Sequence, residues 1–240
     1  MKIISLASNI AGPACAISVS IKKNFYNDNY NTNIFDFLEI SLKSINQILE
    51  VIYKKEDIEK LLTTNNSIYL NSDDKLSVIF NNFDKIISHH DLIKDYNEND
   101  YDNFINKYMR RFNRLKIDIY NEDKIFFLRF GKENKEDIIN FIKIINIINP
   151  LLKIYFVHLD YNNYNINDNY SYKLDYQYER KEDILKINYI YINFYDYVDL
   201  DKKYNENLFF KTIEFDWNIV YQYIKSVINE KEKKYFIFYK

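Results

Sequence analysis

Glycine, proline and cysteine are close to absent from this chain, and each scarcity removes a class of function. A single cysteine in 240 residues rules out an internal disulfide and fits a reducing compartment. With two glycines there is no glycine-rich loop to cradle a phosphate, and Gly12-Pro13 alone matches neither the dinucleotide nor the P-loop pattern. Two prolines, Pro13 and Pro150, leave no Pro/Gly/Ser linker to mark a domain boundary. No run approaches the ~18 apolar residues of a membrane span. The apolar opening is broken too early by Asn9 and Gly12 to read as a signal peptide. A net charge of -2 and an isoelectric point near 6.0 offer no general basic field for nucleic acid or an anionic membrane. Metal ligation has little to work with beyond the adjacent His89-His90. These exclusions predict a soluble cytoplasmic protein with no cofactor, no nucleic-acid partner and no membrane partner.

What is abundant is Asn, Ile, Lys and Tyr, a skew that suits AT-rich codons and makes most Tyr and Asn positions uninformative. The sparingly used residues carry the information. Lys2–Ser8 reads as a short buried strand, Gly12-Pro13 as a turn, and the residues from Cys15 to Ile21 as the start of a helix. With Pro13 at the first helical position, Cys15 falls in the first turn, beside free backbone N–H groups. The positive end of the helix dipole there would favour a thiolate. The alternative is a small buried hydrophobe.

Farther on, Asn33-Ile-Phe-Asp36 reads as a capped start of a helix continuing through Leu38, Leu42, Ile45, Leu49 and Ile52. Ile68–Leu70 and Leu76–Phe80 read as a hairpin, and Lys85–Ser88 as a strand running into His89-His90-Asp91. Asp102–Lys116 is a helix with Phe104, Tyr108, Phe112 and Leu115 on one face. Arg111 lies at the edge of that face, to be buried against an acid such as Asp36 or Asp91, while Arg110 and Arg114 point away. Lys124–Arg129, a helix capped at Asn134, and Lys153–His158 form a βαβ unit with parallel strands. Beyond lie an Asn/Tyr loop at 161–172, strands at 173–178 and 184–194, a helix near Phe215–Asn229 opened by Trp217, and a last strand at Tyr235–Phe238. The fold expected is α/β: one domain over residues 1–240, a mostly parallel sheet core containing the βαβ unit, and peripheral hairpins.

Cys15, His90-Asp91, Arg129 and His158-Leu-Asp160 each follow or end a predicted strand, which assigns them to the carboxyl rim where open α/β sheets bind ligands. A thiol nucleophile needs a base and a group to orient it. His158 is the preferred base because a long apolar strand places it rigidly, and His90 beside Asp91 is the alternative. Asp36, Asp91 or Asp160 could orient the ring. Two rival readings stay open: a non-catalytic interaction protein on the same scaffold, and an Arg-lined site for a phosphorylated or acidic ligand.

The order of these residues resembles a domain-of-unknown-function family of papain-like cysteine peptidases, found in bacteria and large DNA viruses. That family runs Ser-Leu-Gly-x-x-Cys, an apolar helix and Phe-Asp-Trp. Later come His-Asp-Phe, Tyr-x-Arg-Arg-x-x-Arg-Phe, Phe-Val-Arg, a strand ending in His, and a late Trp. Here stand Ser5-Leu6, Gly12-x-x-Cys15, Phe35-Asp36-Phe37, His90-Asp91-Leu92, Tyr108-x-Arg110-Arg111-x-x-Arg114-Leu115, Phe127-Leu128-Arg129, Val157-His158 and Trp217. Five residues separate Leu6 from Gly12, and Phe37 and Leu92 replace the family's Trp and Phe. The resemblance implies a cysteine-dependent hydrolase or acyl-transfer enzyme acting on a peptide or other acyl substrate, in the host cytoplasm if viral. It also implies Cys15 as nucleophile, His158 or His90 as base, and Gly12, Asp36, Arg111 and Arg129 as binding or structural residues. A papain-like fold would set the cysteine helix against an antiparallel barrel, unlike the βαβ core read from the residues themselves.

Overall fold

The computed structural model describes residues 2–9, 11–26, 30–70, 75–131, 133–161 and 188–194. Residues 162–172 of the loop expected at 161–172, the strand at 173–178, Trp217 with its helix and the final strand lie outside the described residues, and Tyr161 closes a strand instead. The first half runs β1 (Lys2–Ser8), α1 (Ala11–Phe25), β2 (Leu38–Ile40), α2 (Leu42–Lys54), α3 (Ile58–Thr63), β3 (Asn66–Leu70) and β4 (Lys75–Phe80). There follow β5 (Ile86–Ile93), α4 (Glu98–Asn121), β6 (Lys124–Phe130), α5 (Lys135–Ile148), β7 (Lys153–Tyr161) and β8 (Asn188–Phe194).

All eight strands join one sheet in the order β3-β4-β5-β2-β1-β6-β7-β8. β2-β1-β6-β7-β8 are parallel, and β6 pairs with β7 residue for residue, with α5 between them, as expected for the βαβ unit. The other half is antiparallel: β3 with β4, β4 with β5, and β5 with β2. The sheet is therefore mixed rather than mostly parallel, and the hairpin is one end of it rather than an addition. The physical reason is connection length, since the short turns joining β3 to β4 and β4 to β5 cannot make a crossover.

Chain direction also decides which face each helix covers. From β1 the chain steps through α1 to β2 on one side, and from β6 through α5 to β7 on the other. Right-handed crossovers stepping in opposite directions place their helices on opposite faces. Side chains agree. Ser5 of β1 meets Ser18 of α1, whereas Phe127 of β6 and Phe156 of β7 meet Phe141 of α5. Ser5 is in register with Leu128, next to Phe127, so the two sets alternate across the sheet. Phe141 is fully buried with its ring 5.0 Å from Phe127 and 5.3 Å from Phe156, both edge-on. Burying such a ring stabilises by about 2–3 kcal/mol. Helices α2 and α4 share the α5 side: α2 packs on α5, and in the same core Phe104 of α4 stacks on Phe80 while Tyr108 meets that ring edge-on.

The helix expected to run from Asn33 to Ile52 is broken. Asn33 does make the local bonds of a cap, its N–H donating to Asp36 Oδ2 and its Oδ1 accepting from the Phe35 N–H, but Phe37 turns left-handed (φ 65°) and Leu38–Ile40 extends as β2. The helix starts afresh at Leu42, capped by the Ser41 hydroxyl. Helix α4 is longer than expected because a capping box at Asn97 and Asp100 starts it early. Among the described residues no helix is long and apolar enough to cross a membrane.

Candidate active site

Helix α1 begins at Ala11, so Gly12 is its second residue, Pro13 its third and Cys15 its fifth. Pro13 still falls among the positions whose N–H needs no helical partner, which is why the helix tolerates it. Cys15 lies two residues deeper than expected, in the second turn rather than the first, and the chemistry follows depth rather than dipole. Burial raises the thiol to about 11, and the Asp91 carboxylate adds to the rise. At neutral pH the thiol is protonated, a correction to the thiolate expected at a helix start.

Asp91 lies in an irregularity of β5. Leu76 pairs with Leu92 and Val78 with Ser88, so Ser77 alone faces His89, His90 and Asp91. Such a bulge bends a strand and re-aims its side chains. The three residues thus lie within β5, not beyond it. Because β5 is antiparallel to β2, its carboxyl end points away from those of β1, β2, β6 and β7. The single carboxyl rim expected for the candidate residues does not form.

Within the bulge, His89 is held on both nitrogens, by Ser77 Oγ at 3.2 Å and Glu39 Oε2 at 2.8 Å. Burial alone would raise Glu39, but hydrogen bonds from His89 and Lys85 outweigh it and keep its carboxyl below the usual range. Asp91 accepts from Lys107 Nζ, Tyr108 Oη and Ser88 Oγ, and these donors likewise overcome burial and hold it ionised. His90 stands between these two anchored residues; its side chain lies outside the described residues, as does that of Asp160.

His158 is almost fully buried on β7, in register with Arg129. Its Nε2 meets the carbonyl of Gly131 at 2.5 Å, and since a carbonyl only accepts, that nitrogen carries the proton. Phe156, two residues before it, faces α5, so His158 also points to the α5 side. Cys15 belongs to the helix on the other face. The Asp91 charge acts on the Cys15 thiol, and His158 lies on the face of the sheet opposite α1.

Arg129 has no exposed surface. It donates through Nη1 to Leu6 O (2.6 Å), through Nη2 to Ile40 O (2.8 Å) and through Nε to Glu133 (2.6 Å). It ties β1, β2 and β6 together. Arg111 is buried as expected, but its Nη1 donates to the carbonyl of Asp36 (3.4 Å), not to a carboxylate, and its guanidinium lies 5.5 Å from the Tyr108 ring centre. Arg114, expected to be solvated, donates to Thr32 O at 2.8 Å.

Asp36 itself is buried among donors of which sequence reasoning linked only Asn33 to it. Ser18 Oγ (2.6 Å), Tyr30 Oη (2.9 Å) and the Asn33 N–H (2.6 Å) all point at its carboxylate. Burial nonetheless prevails and lifts Asp36 to about 6. The available signals were the three-residue spacing of Cys15 and Ser18 on one helix side, and of Asn33 and Asp36 in one turn. Tyr30 and Tyr108 were hidden by the abundance of tyrosine.

Comparison with known proteins gives one assignment. Neither the curated proteins nor the solved structures gave a match. A family model does match, over residues 2–153, from the first residue of β1 to the first residue of β7. By that match the chain belongs to the family described as "putative papain-like cysteine peptidase".

Proposed function

We propose that the protein is a cysteine-dependent hydrolase or acyl-transfer enzyme in which Cys15 attacks and His90 takes its proton. The observation that supports this reading is that Asp91, in the same β5 bulge as His90, is a charge whose field adds to the rise of the Cys15 thiol. The family match supports the choice of histidine, since residues 2–153 include Cys15 and His90 but stop short of His158. A thiol raised to about 11 cannot rest as thiolate, so its proton must leave as the sulfur attacks, which makes a base part of the reaction. In sequence, the S–H proton passes to His90 and sulfur bonds to the substrate carbonyl. The free N–H groups of the first turn of α1 receive the oxyanion, and the leaving group departs with the proton. Water then releases the acyl group from the thioester. The substrate class is a peptide or other acyl compound.

The test is labelling by an acyl electrophile directed at cysteine, followed by mass spectrometry. Label is expected on Cys15, reduced by about 10²-fold or more in His90→Ala and unaffected in His158→Ala. Loss in His158→Ala with none in His90→Ala would overturn the base assignment.

A second reading is a non-catalytic interaction protein on the same scaffold. It is favoured by one observation: Asp91 is already engaged by Lys107, Tyr108 and Ser88, like a structural clasp between β5 and α4. Absence of labelling in the folded wild-type chain would select it. An Arg-lined anion site has less to stand on, because Arg129 and Arg111 spend donors on main-chain carbonyls.

A further inference from the structure

The buried polar knot around Asp36 joins both sides of the sheet and takes no part in the thiol chemistry above. β2 begins only at Leu38, so at the level of Ser5 no β2 residue separates β1 from β5, and residues 30–37 fill that gap. From one side Ser18 of α1 donates to the Asp36 carboxylate, and from the other Arg111 of α4 donates to the Asp36 carbonyl. Ser18 stands one turn after Cys15, on the same side of α1.

Proton accounting shows that this knot has two states. Ser18 Oγ has two acceptors in reach, Asp36 Oδ1 at 2.6 Å and Ser5 Oγ at 3.3 Å, and one proton to give. With Asp36 ionised, Ser18 donates to the carboxylate. Oδ2 is claimed by the Asn33 N–H, which can only donate, and by the Tyr30 hydroxyl, which accepts from Asn33 Nδ2 and lies nearer Oδ2 (2.9 Å) than Oδ1 (3.2 Å). A proton on Asp36 therefore sits on Oδ1 and points at Ser18 Oγ. Ser18 then turns its own proton to Ser5 Oγ. Ser5 Oγ also accepts the Ala7 N–H at 3.0 Å, and Ala7 is left-handed (φ 51°) within β1, just before the chain turns into α1. The other charged and titratable groups bearing on Asp36 are Arg111 and Arg114 from α4, and the Tyr26 and Tyr30 phenols from the segment after α1.

We propose that Asp36 is a positioning residue for Cys15: one proton on its carboxyl reverses the Asp36–Ser18–Ser5 chain and so resets the turn of α1 that carries the thiol. Ionised, Asp36 grips α1 by a charge-assisted bond; protonated, it exchanges that bond for a weaker neutral one. The carboxyl titrates near 6, so both states are sampled around physiological pH. The proposal rests on Cys15 being the reacting group, not on which histidine is the base.

The experiment is the pH profile of Cys15 reaction with a dipyridyl disulfide, a probe that stays reactive in acid. Cys15 is the single thiol of the chain, so the signal is unambiguous. After correction by the profile of a small thiol, the wild-type chain is expected to show a step of roughly fivefold or more, as one redirected charge-assisted bond can produce. Its midpoint should lie near pH 6. Asp36→Asn and Ser18→Ala should lack the step, and Ser18→Thr, which keeps the hydroxyl, should retain it. Superimposable profiles for wild type and Asp36→Asn overturn the proposal. Should Asp36→Asn fail to fold by circular dichroism, the two Ser18 variants decide, and a full step in Ser18→Ala overturns it. His90→Ala keeps the two ideas apart: a preserved step with unchanged acyl labelling sinks the base assignment and leaves Asp36 standing.

Discussion

Asp36 shows at residue scale how burial can prevail over many good contacts. Three donors and a nearby guanidinium act to lower its pKa, yet the carboxyl titrates near 6 instead of 3.8, because leaving water costs the charged form more. The folded state therefore binds this proton more tightly than the unfolded chain does. Its stabilising contribution is fully present below pH 3.8 and lost as pH rises through about 6. The swing is about 3 kcal/mol at roughly 1.4 kcal/mol per pH unit. Denaturation of wild type and Asp36→Asn across that range should show their stability difference drifting against the wild type as pH rises; a constant difference would refute it. Arg111 is the counterpart. Replacing it with Ala removes the nearest cation from Asp36 and the cover of Tyr108, at an expected cost of about 3 kcal/mol. Arg110→Ala, at an exposed position, should change the melting temperature little. At Gly131, φ is +116° and an added Cβ would lie 2.7 Å from Asn9 Oδ1. Gly131→Ala should therefore lose about 1–3 kcal/mol in chemical denaturation, from strain and contact together.

Elements were legible in the sequence in proportion to their length. β6, α5 and β7 were readable because α5 repeats its apolar residues over four turns and is capped at Asn134, between two β-rich runs. The hairpin was readable from the polar tetrad between its strands. β2 was not, because three residues are too few for alternation to stand out beside a helix whose apolar pattern runs through them. The cap at Asn33 misled for the same reason: its hydrogen bonds are real, but local bonds of this kind stabilise a turn as readily as a helix start. The bulge in β5 depends on pairing with β4, a long-range fact that no local pattern encodes. Part of the candidate site was legible only as residue types: Cys15, His90-Asp91, Asp36 and Arg111 stand out in the sequence, while their mutual placement does not. The true start of α2 can be tested directly. Ser41→Ala removes the hydroxyl that accepts the Ser44 N–H and should cost about 1 kcal/mol by chemical denaturation, as caps do. Asn33→Ala disturbs the Asp36 turn instead, so it should shift the Asp36 titration, which Ser41→Ala should leave alone.

At the scale of the whole molecule, the site is decided by the direction in which the chain leaves the central strands. A reading confined to strand ends puts Cys15 and His158 together, since each lies near the carboxyl end of, or just beyond, a parallel strand. The crossovers separate them. α1 steps one way from β1 and α5 the other way from β6, so the helices fall on opposite faces and His158 goes with α5. Two strand spacings of roughly 4.8 Å each add lateral distance between β1 and β7. A disulfide needs Cα atoms within about 7 Å, which no rotamer change can supply across a sheet. Chain reversal at β5, by contrast, sets the Asp91 bulge beyond the amino end of the short β2, where Lys107 and Tyr108 of α4 hold its carboxylate. The folded His158→Cys variant, incubated with a mild oxidant and digested without reduction, should therefore show two free thiols and no linked peptide pair. A disulfide formed in the native state between Cys15 and the thiol introduced by that substitution would mean that the helices do not lie on opposite faces, and the choice between His90 and His158 would have to be reversed.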